Sequence, residues 1–154
     1  MIQRKQTVFL LLAAILGVVA MSLPIASVMA EGLRTASVYS LMWVDTTPAA
    51  HFAAHYSTWP LFAMLLLASS VAVYSIFLYR RRLLQARLCV VSLLLYVAWY
   101  IGLVVVSKSL APDAQDFNLS IVAALPAVSA ILCLMARNGI LADEKLVRAA
   151  DRLR

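Results

Sequence analysis

The chain has 154 residues, 64% of them hydrophobic and 13% charged, with a formal net charge of +6 and a mean hydropathy of +0.93. A soluble domain carries about 25% charged residues, so this composition leaves too little polar surface for a water-soluble globule. The length suits one domain, 1–154, and the positive charge is gathered into short flanks, which excludes the diffuse basic surface that nucleic acid would need.

Four stretches carry no charge: Thr7–Ala30, Tyr56–Tyr79, Leu88–Ser107 and Phe117–Ala136. A helix needs about 20 apolar residues to cross a bilayer core of roughly 30 Å. Spans are therefore expected at 7–30, 57–79, 88–107 and 117–136. The stretches are apolar all round and do not alternate, so helices are expected and barrel strands are not.

The first window follows Arg4 and Lys5 and ends in VMA before Glu31. That resembles a secretory signal with a small-residue cleavage site, but its apolar part exceeds the usual length of about 7–15 residues. An uncleaved anchor is expected. Pro24 should kink this helix and release the carbonyl of Ala20.

The loop 31–56 is the largest connection. Its VYSLMWV stretch suits a short interfacial helix or strand, and TTPAAHFAAHY reads as a helix start with Thr47 as cap and Pro48 at the first position. His51 and His55 then share a helix face and are the candidate metal or haem ligands. Two residues fall short of the four that a closed zinc site needs. They are read as polar groups at headgroup level beside an aromatic belt of Trp43, Tyr56 and Trp59, and no cofactor is expected.

The second and third windows are joined by a short hairpin carrying Arg80, Arg81, Arg82 and Arg87, so those helices must be neighbours. The third and fourth are joined by KSLAPDAQD. Cys89 and Cys133 fall near the inner ends of their helices and neither lies in a CxxC, so packing is expected of them, not thiol chemistry. Pro126 should kink the fourth helix and release the carbonyl of Val122. Asn138 and Gly139 should end it.

The tail, ADEKLVRAADRLR, reads as a separate short helix over 142–154. Asp143 would cap it, with Glu144 in its first turn and Arg152 and Arg154 at its end. Ala142, Leu146, Ala149, Ala150 and Leu153 form one apolar stripe, and Glu144 with Arg148 is an i,i+4 ion pair. The stripe is too slight for lipid anchoring and suits a protein surface.

Eleven basic residues fall at the N-terminus, the hairpin and the tail, against Arg34 and Lys108 on the other side. The positive-inside rule then puts both termini in the cytoplasm. The spans contain no ionisable Asp, Glu, Lys, Arg or His, which argues against ion- or proton-coupled transport. Hydroxyls at Ser69, Ser92 and Ser129, with small residues such as Ala13 and Gly17, allow close helix contact.

The run MIQRKQTVFLLLAAIL, then STWPL, RRLLQARLC and the closing ADEKLVRAADRLR, resembles an uncharacterised family of small four-helix inner-membrane proteins from Bacteroidota, a domain of unknown function. The resemblance covers the whole chain and is most specific at the tail. Members often have a basic residue just before the tail Asp, where this chain has Leu141 and Ala142. The resemblance implies a four-helix membrane protein and no catalytic residues.

The expected fold is thus an all-α membrane protein, four antiparallel transmembrane helices plus a short amphipathic cytoplasmic helix. The expected role is a non-enzymatic accessory subunit of the inner membrane. Arg80, Arg81, Arg82, Arg87, Asp143, Glu144, Lys145, Arg148, Asp151, Arg152 and Arg154 are the expected contacts to anionic lipid, or to a membrane or cytoplasmic partner protein. A small channel or carrier for an uncharged or lipidic molecule is the alternative.

Overall fold

Pro24 decides where the first helix stops. Its ring removes a backbone N–H and pushes the preceding residue out of the helical region. Helix α1 runs Lys5–Ser22, and Leu23 N makes its last helical bond, to Val19 O at 3.2 Å. The rest of the first window is a strand, β1 (Ala26–Ala30). This corrects both the expected span over 7–30 and the expected mid-helix kink.

The computed structural model describes residues 5–30, 33–46, 54–78, 81–110 and 117–152. After β1 come β2 (Leu33–Val38), β3 (Trp43–Asp45) and β4 (Ala54–His55), then a 3₁₀ turn, Tyr56–Thr58. Helix α2 (Trp59–Phe77) and helix α3 (Arg82–Leu110) follow, then β5 (Phe117–Leu119), a second 3₁₀ turn over Ile121–Ala124 and helix α4 (Leu125–Arg152). The all-α expectation is corrected: the fold is mostly helical with a small sheet. Among the described residues, four segments, Lys5–Ser22, Tyr56–Phe77, Arg82–Leu110 and Ile121–Val147, are long and apolar enough to cross a membrane.

The sheet is antiparallel, in the order β4-β3-β2-β1-β5. Its register pairs Ala26 with Val38 and with Leu119, and Val28 with Ala36 and with Phe117. Ala26, Ala36 and Val38 are buried, with Val28, Trp43 and Phe117 packed on the same core. Because side chains alternate between faces, the other face carries Ser27, Ser37 and Asn118, which are also in register. Two further bonds lengthen the ladder: Ile25 N donates to Val38 O at 2.8 Å and Ser120 N to Ile25 O at 3.0 Å. The ends of α1 and the start of α4 are thereby tied to one sheet.

The four helices form a closed ring in which α1 and α3 each pack against α2 and α4. Each helix buries a stripe at three- and four-residue spacing: Leu10, Ala13, Gly17 and Ala20 on α1; Leu61, Leu65, Ala68 and Ala72 on α2. Helix α3 buries Cys89, Ser92, Tyr96, Trp99 and Leu103, and α4 buries Ser129, Cys133, Ala136 and Ile140. The two largest core side chains, Trp99 and Tyr96, come from one helix and lie fully buried. Small residues on the other helices make room for them. At Gly17 a Cβ would overlap Ser69 Oγ and lie 3.1 Å from Tyr96 Oη, so this position must be glycine for α1, α2 and α3 to approach as they do.

Hydroxyls close the backbone gaps. Ser40, in the turn between β2 and β3, is fully buried and donates to Ala20 O at 3.2 Å. That is the carbonyl Pro24 leaves without a helical partner. The same turn accepts Phe62 N at Ser40 O (3.2 Å) and Thr58 Oγ1 at Tyr39 O (3.2 Å), which satisfies a backbone N–H in the first turn of α2 and the hydroxyl of its N-cap residue. Pro126 lies in the first turn of α4, where proline is tolerated, so no kink arises. There Tyr100 Oη donates to Ala123 O at 2.7 Å and accepts from Ala127 N at 3.0 Å, bridging an i→i−4 pair across the 3₁₀-to-α junction. Deeper in the core, Ala13 O accepts from both Tyr96 Oη (3.3 Å) and Ser129 Oγ (3.1 Å).

Two stability predictions follow from this packing. Tyr100→Phe should lower the thermal midpoint in detergent by the equivalent of about 1–3 kcal/mol, because it orphans one donor and one acceptor. Gly17→Val should cost about 1–3 kcal/mol through overpacking against Ser69. Melting curves unchanged from the parent would contradict either account.

Candidate interaction surface

The end of the ring opposite the sheet gathers the polar residues that the sequence singles out. Helix α4 does not stop at Asn138 and Gly139, as expected, but runs unbroken to Arg152. Gly139 keeps a right-handed backbone, and a Cβ there would lie 2.9 Å from Gln6 Cγ. The glycine thus serves close approach to α1 and not helix termination. Asp143 is correspondingly mid-helix and not a cap, and the tail helix over 142–154 is the continuation of α4 as far as Arg152.

Asp143 holds three elements together. Gln6 Nε2, from the start of α1, donates to Asp143 Oδ2 at 2.6 Å. Arg82 Nη1, from the first residue of α3, donates to Asp143 O at 3.3 Å. Both bonds are partly buried, and a carboxylate acceptor shortens and strengthens the first. Gln6 is itself buried, as is Gln85, one turn into α3 from Arg82. Gln85 Oε1 is buried with no hydrogen-bond partner, as are Ser69 Oγ and Trp99 Nε1.

The remaining expected contact residues divide into three groups. Arg81, Arg87 and Lys145 are exposed, and Arg81 N closes the turn after α2 by donating to Leu78 O at 2.9 Å. Glu144 is half-buried and partnered. Arg80 and Arg154 lie outside the described residues, as do the side chains of Arg148, Asp151 and Arg152. Past Asp143, Leu146 of the apolar stripe is 70% exposed, and its neighbour Val147 is 41% exposed.

The histidine pair does not stand as a helical i,i+4 pair. His51 lies outside the described residues, together with Thr47 and Pro48. His55 is in β4, extended, and its ring stacks on Trp43 with centroids 4.4 Å apart and planes 18° apart. Trp43 Nε1 donates to Ser57 Oγ at 3.2 Å. Among the described residues, no three His, Cys, Asp or Glu side chains converge on one point. Cys89 and Cys133 are free thiols in one buried cluster.

Sequence reasoning passed over Gln6, Gln85 and Ser40. Gln6 and Gln85 flank the uncharged windows, and a polar amide at helical spacing from the core stripe was the available signal. Ser40 carries no signal beyond its place twenty residues after a carbonyl that proline frees.

Because the Gln6–Asp143 bond anchors the tail, Asp143→Ala should raise amide hydrogen exchange across residues 140–152 about tenfold, as expected for losing one charge-assisted bond. Exchange around Tyr96 should not move. Unchanged exchange in the tail would contradict the anchoring role.

No curated protein matches the chain at a significant level. With a ring of four long apolar helices, a small sheet at one end and an extended α4 at the other, residues 2–153 match the family model described as Domain of unknown function (DUF4293), and the chain belongs to that family.

Proposed function

We propose that this is a multi-pass inner-membrane protein, inserted as an antiparallel four-helix bundle, that acts as a non-enzymatic accessory subunit. Its termini and the Arg81–Arg82 hairpin lie in the cytoplasm by the positive-inside rule, and its sheet lies on the opposite side. The outward faces support insertion. Phe77, Leu94 and Ile101 are 72%, 60% and 64% exposed, and water does not tolerate a continuous apolar girdle of that kind. Arg81 and Arg87 then meet anionic headgroups, each contributing about 1 kcal/mol.

The observation that carries the accessory role is Leu146. Helix α4 continues past the ties that Asp143 makes to α1 and α3, and it turns a 70% exposed leucine outward on a charge-rich segment. The described part of the chain leaves that side chain mostly uncovered. A helix with a thin Ala/Leu stripe flanked by charges fits a groove on a cytoplasmic or membrane protein.

A carrier of an uncharged or lipidic molecule is the second reading. It is favoured by an apolar groove of about 640 Å³ between α1 and α2, lined by Leu11, Ile15, Val18, Leu66, Val73 and Phe77. The axis of the ring is filled by Leu10, Leu65, Tyr96, Trp99 and Cys133, which favours the accessory reading over a pore.

A photo-crosslinking residue at Leu146, in the native membrane, should give a discrete protein adduct that the same residue at Ile131, on the apolar outer face, does not. Lipid-sized adducts alone, or none, at position 146 would contradict the docking role.

A further inference from the structure

The sheet face turned away from the bundle carries a second polar site. Register places Asn118, Ser27 and Ser37 side by side on β5, β1 and β2, as direct cross-strand partners. Such neighbours have Cβ atoms about 4.5–5.5 Å apart. The bulge between Val28 and Met29 then shifts the register, so that Met29 pairs with Arg34. A bulge re-aims the side chain beside it. Here Arg34 comes to line the same concavity as the three polar residues, a cavity of about 180 Å³ that also touches Pro24, Met29 and Ser120.

The donor balance of this cavity is one-sided. Arg34 supplies a guanidinium with up to five N–H donors, Asn118 an amide, and Ser27 and Ser37 hydroxyls. No carboxylate lines it among the described residues. None of these four side chains makes a hydrogen bond or ion pair among the described residues, whereas Ser40, Thr58, Ser92 and Ser129 all do. Arg34 is moreover one of only two basic residues that the chain carries away from the termini, hairpin and tail. A cation at that position does nothing for positive-inside topology. A fork of N–H donors ringed by neutral donors, in a space that holds one small group, matches an oxyanion.

We propose that the Arg34 cavity binds an oxyanion of phosphate size, with Arg34 carrying the charge and Ser27, Ser37 and Asn118 supplying hydrogen bonds. That chemistry is shared by free phosphate and by the phosphate of a lipid headgroup, since the cavity lies at the junction of sheet and bundle beside Pro24 and Ser120.

The experiment uses the full chain in nanodiscs of pure phosphatidylcholine, with radiolabelled inorganic phosphate in equilibrium dialysis. A parallel arm uses discs containing phosphatidylglycerol and counts retained lipid by native mass spectrometry. Saturable binding in the first arm identifies a free oxyanion, and selective retention of phosphatidylglycerol in the second identifies a headgroup. In whichever arm binds, Arg34→Gln should weaken binding at least about tenfold and Asn118→Ala severalfold. Arg81→Gln, at the opposite end of the ring, should leave it unchanged. Arg34 is exposed, so its replacement should not disturb folding, which the combined emission spectrum of Trp43, Trp59 and Trp99 checks. Binding by Arg34→Gln equal to the parent in both arms, or no binding by the parent in either, would overturn the proposal.

Discussion

In a chain this apolar, a backbone carbonyl released inside the fold has almost nowhere to go. Water is scarce and an unmet buried polar group costs about 1–3 kcal/mol. The architecture depends on how Pro24 is accommodated. Proline ends α1, and the Ser40 hydroxyl reaches the carbonyl of Ala20 at 3.2 Å. To put Ser40 there, the chain must double back as β1 and β2. Once it does, Ser40 O and Tyr39 O are available to the start of α2. One helix stop thus generates the sheet, fixes its turn against the bundle and sets where α2 begins.

The other proline is handled by a different device of the same kind. Tyr100 inserts its hydroxyl between Ala123 O and Ala127 N, and β5 delivers the chain to that junction by pairing with β1. The sheet therefore fastens α1 to α4 at one end of the ring. At the other end Gln6 and Arg82 fasten α1 and α3 to Asp143. Between these ties the ring is held by close contact of small residues around Tyr96 and Trp99. Among the described residues, Leu146 on α4 and the distal face of the sheet are surfaces left open by the packing, and each carries chemistry suited to something else.

The four long helices were legible because composition and window length leave few options for a chain without charges over about 20 residues. The sheet was not legible. Its strands are two to six residues long, and ASVMA and FNL sit inside apolar windows, where period-2 alternation is drowned by uniform hydropathy. Proline position is informative, but in sequence a mid-helix kink and a helix boundary look the same. Gly139 is ambiguous for a related reason: helix-ending glycine and close-packing glycine look alike without the partner, here Gln6. The basic hairpin and the tail were visible as charge. What could not be read was which tail residues face the bundle, since Asp143 is a good cap in sequence and a mid-helix tie in space. The setting of His55 was not legible either, because its extended backbone and its stacking on Trp43 depend on strand pairing that the spacing to His51 does not report.

The central claim is that the ring spans a bilayer with the sheet on one side and the extended α4 on the other. Single cysteines at Ser37 and Lys145, in a background with Cys89 and Cys133 replaced by serine, can be probed in sealed right-side-out vesicles with a membrane-impermeant maleimide. The account predicts labelling of position 37 in intact vesicles and of position 145 only after permeabilisation. Labelling of both positions in intact vesicles, or of 145 alone, would contradict it.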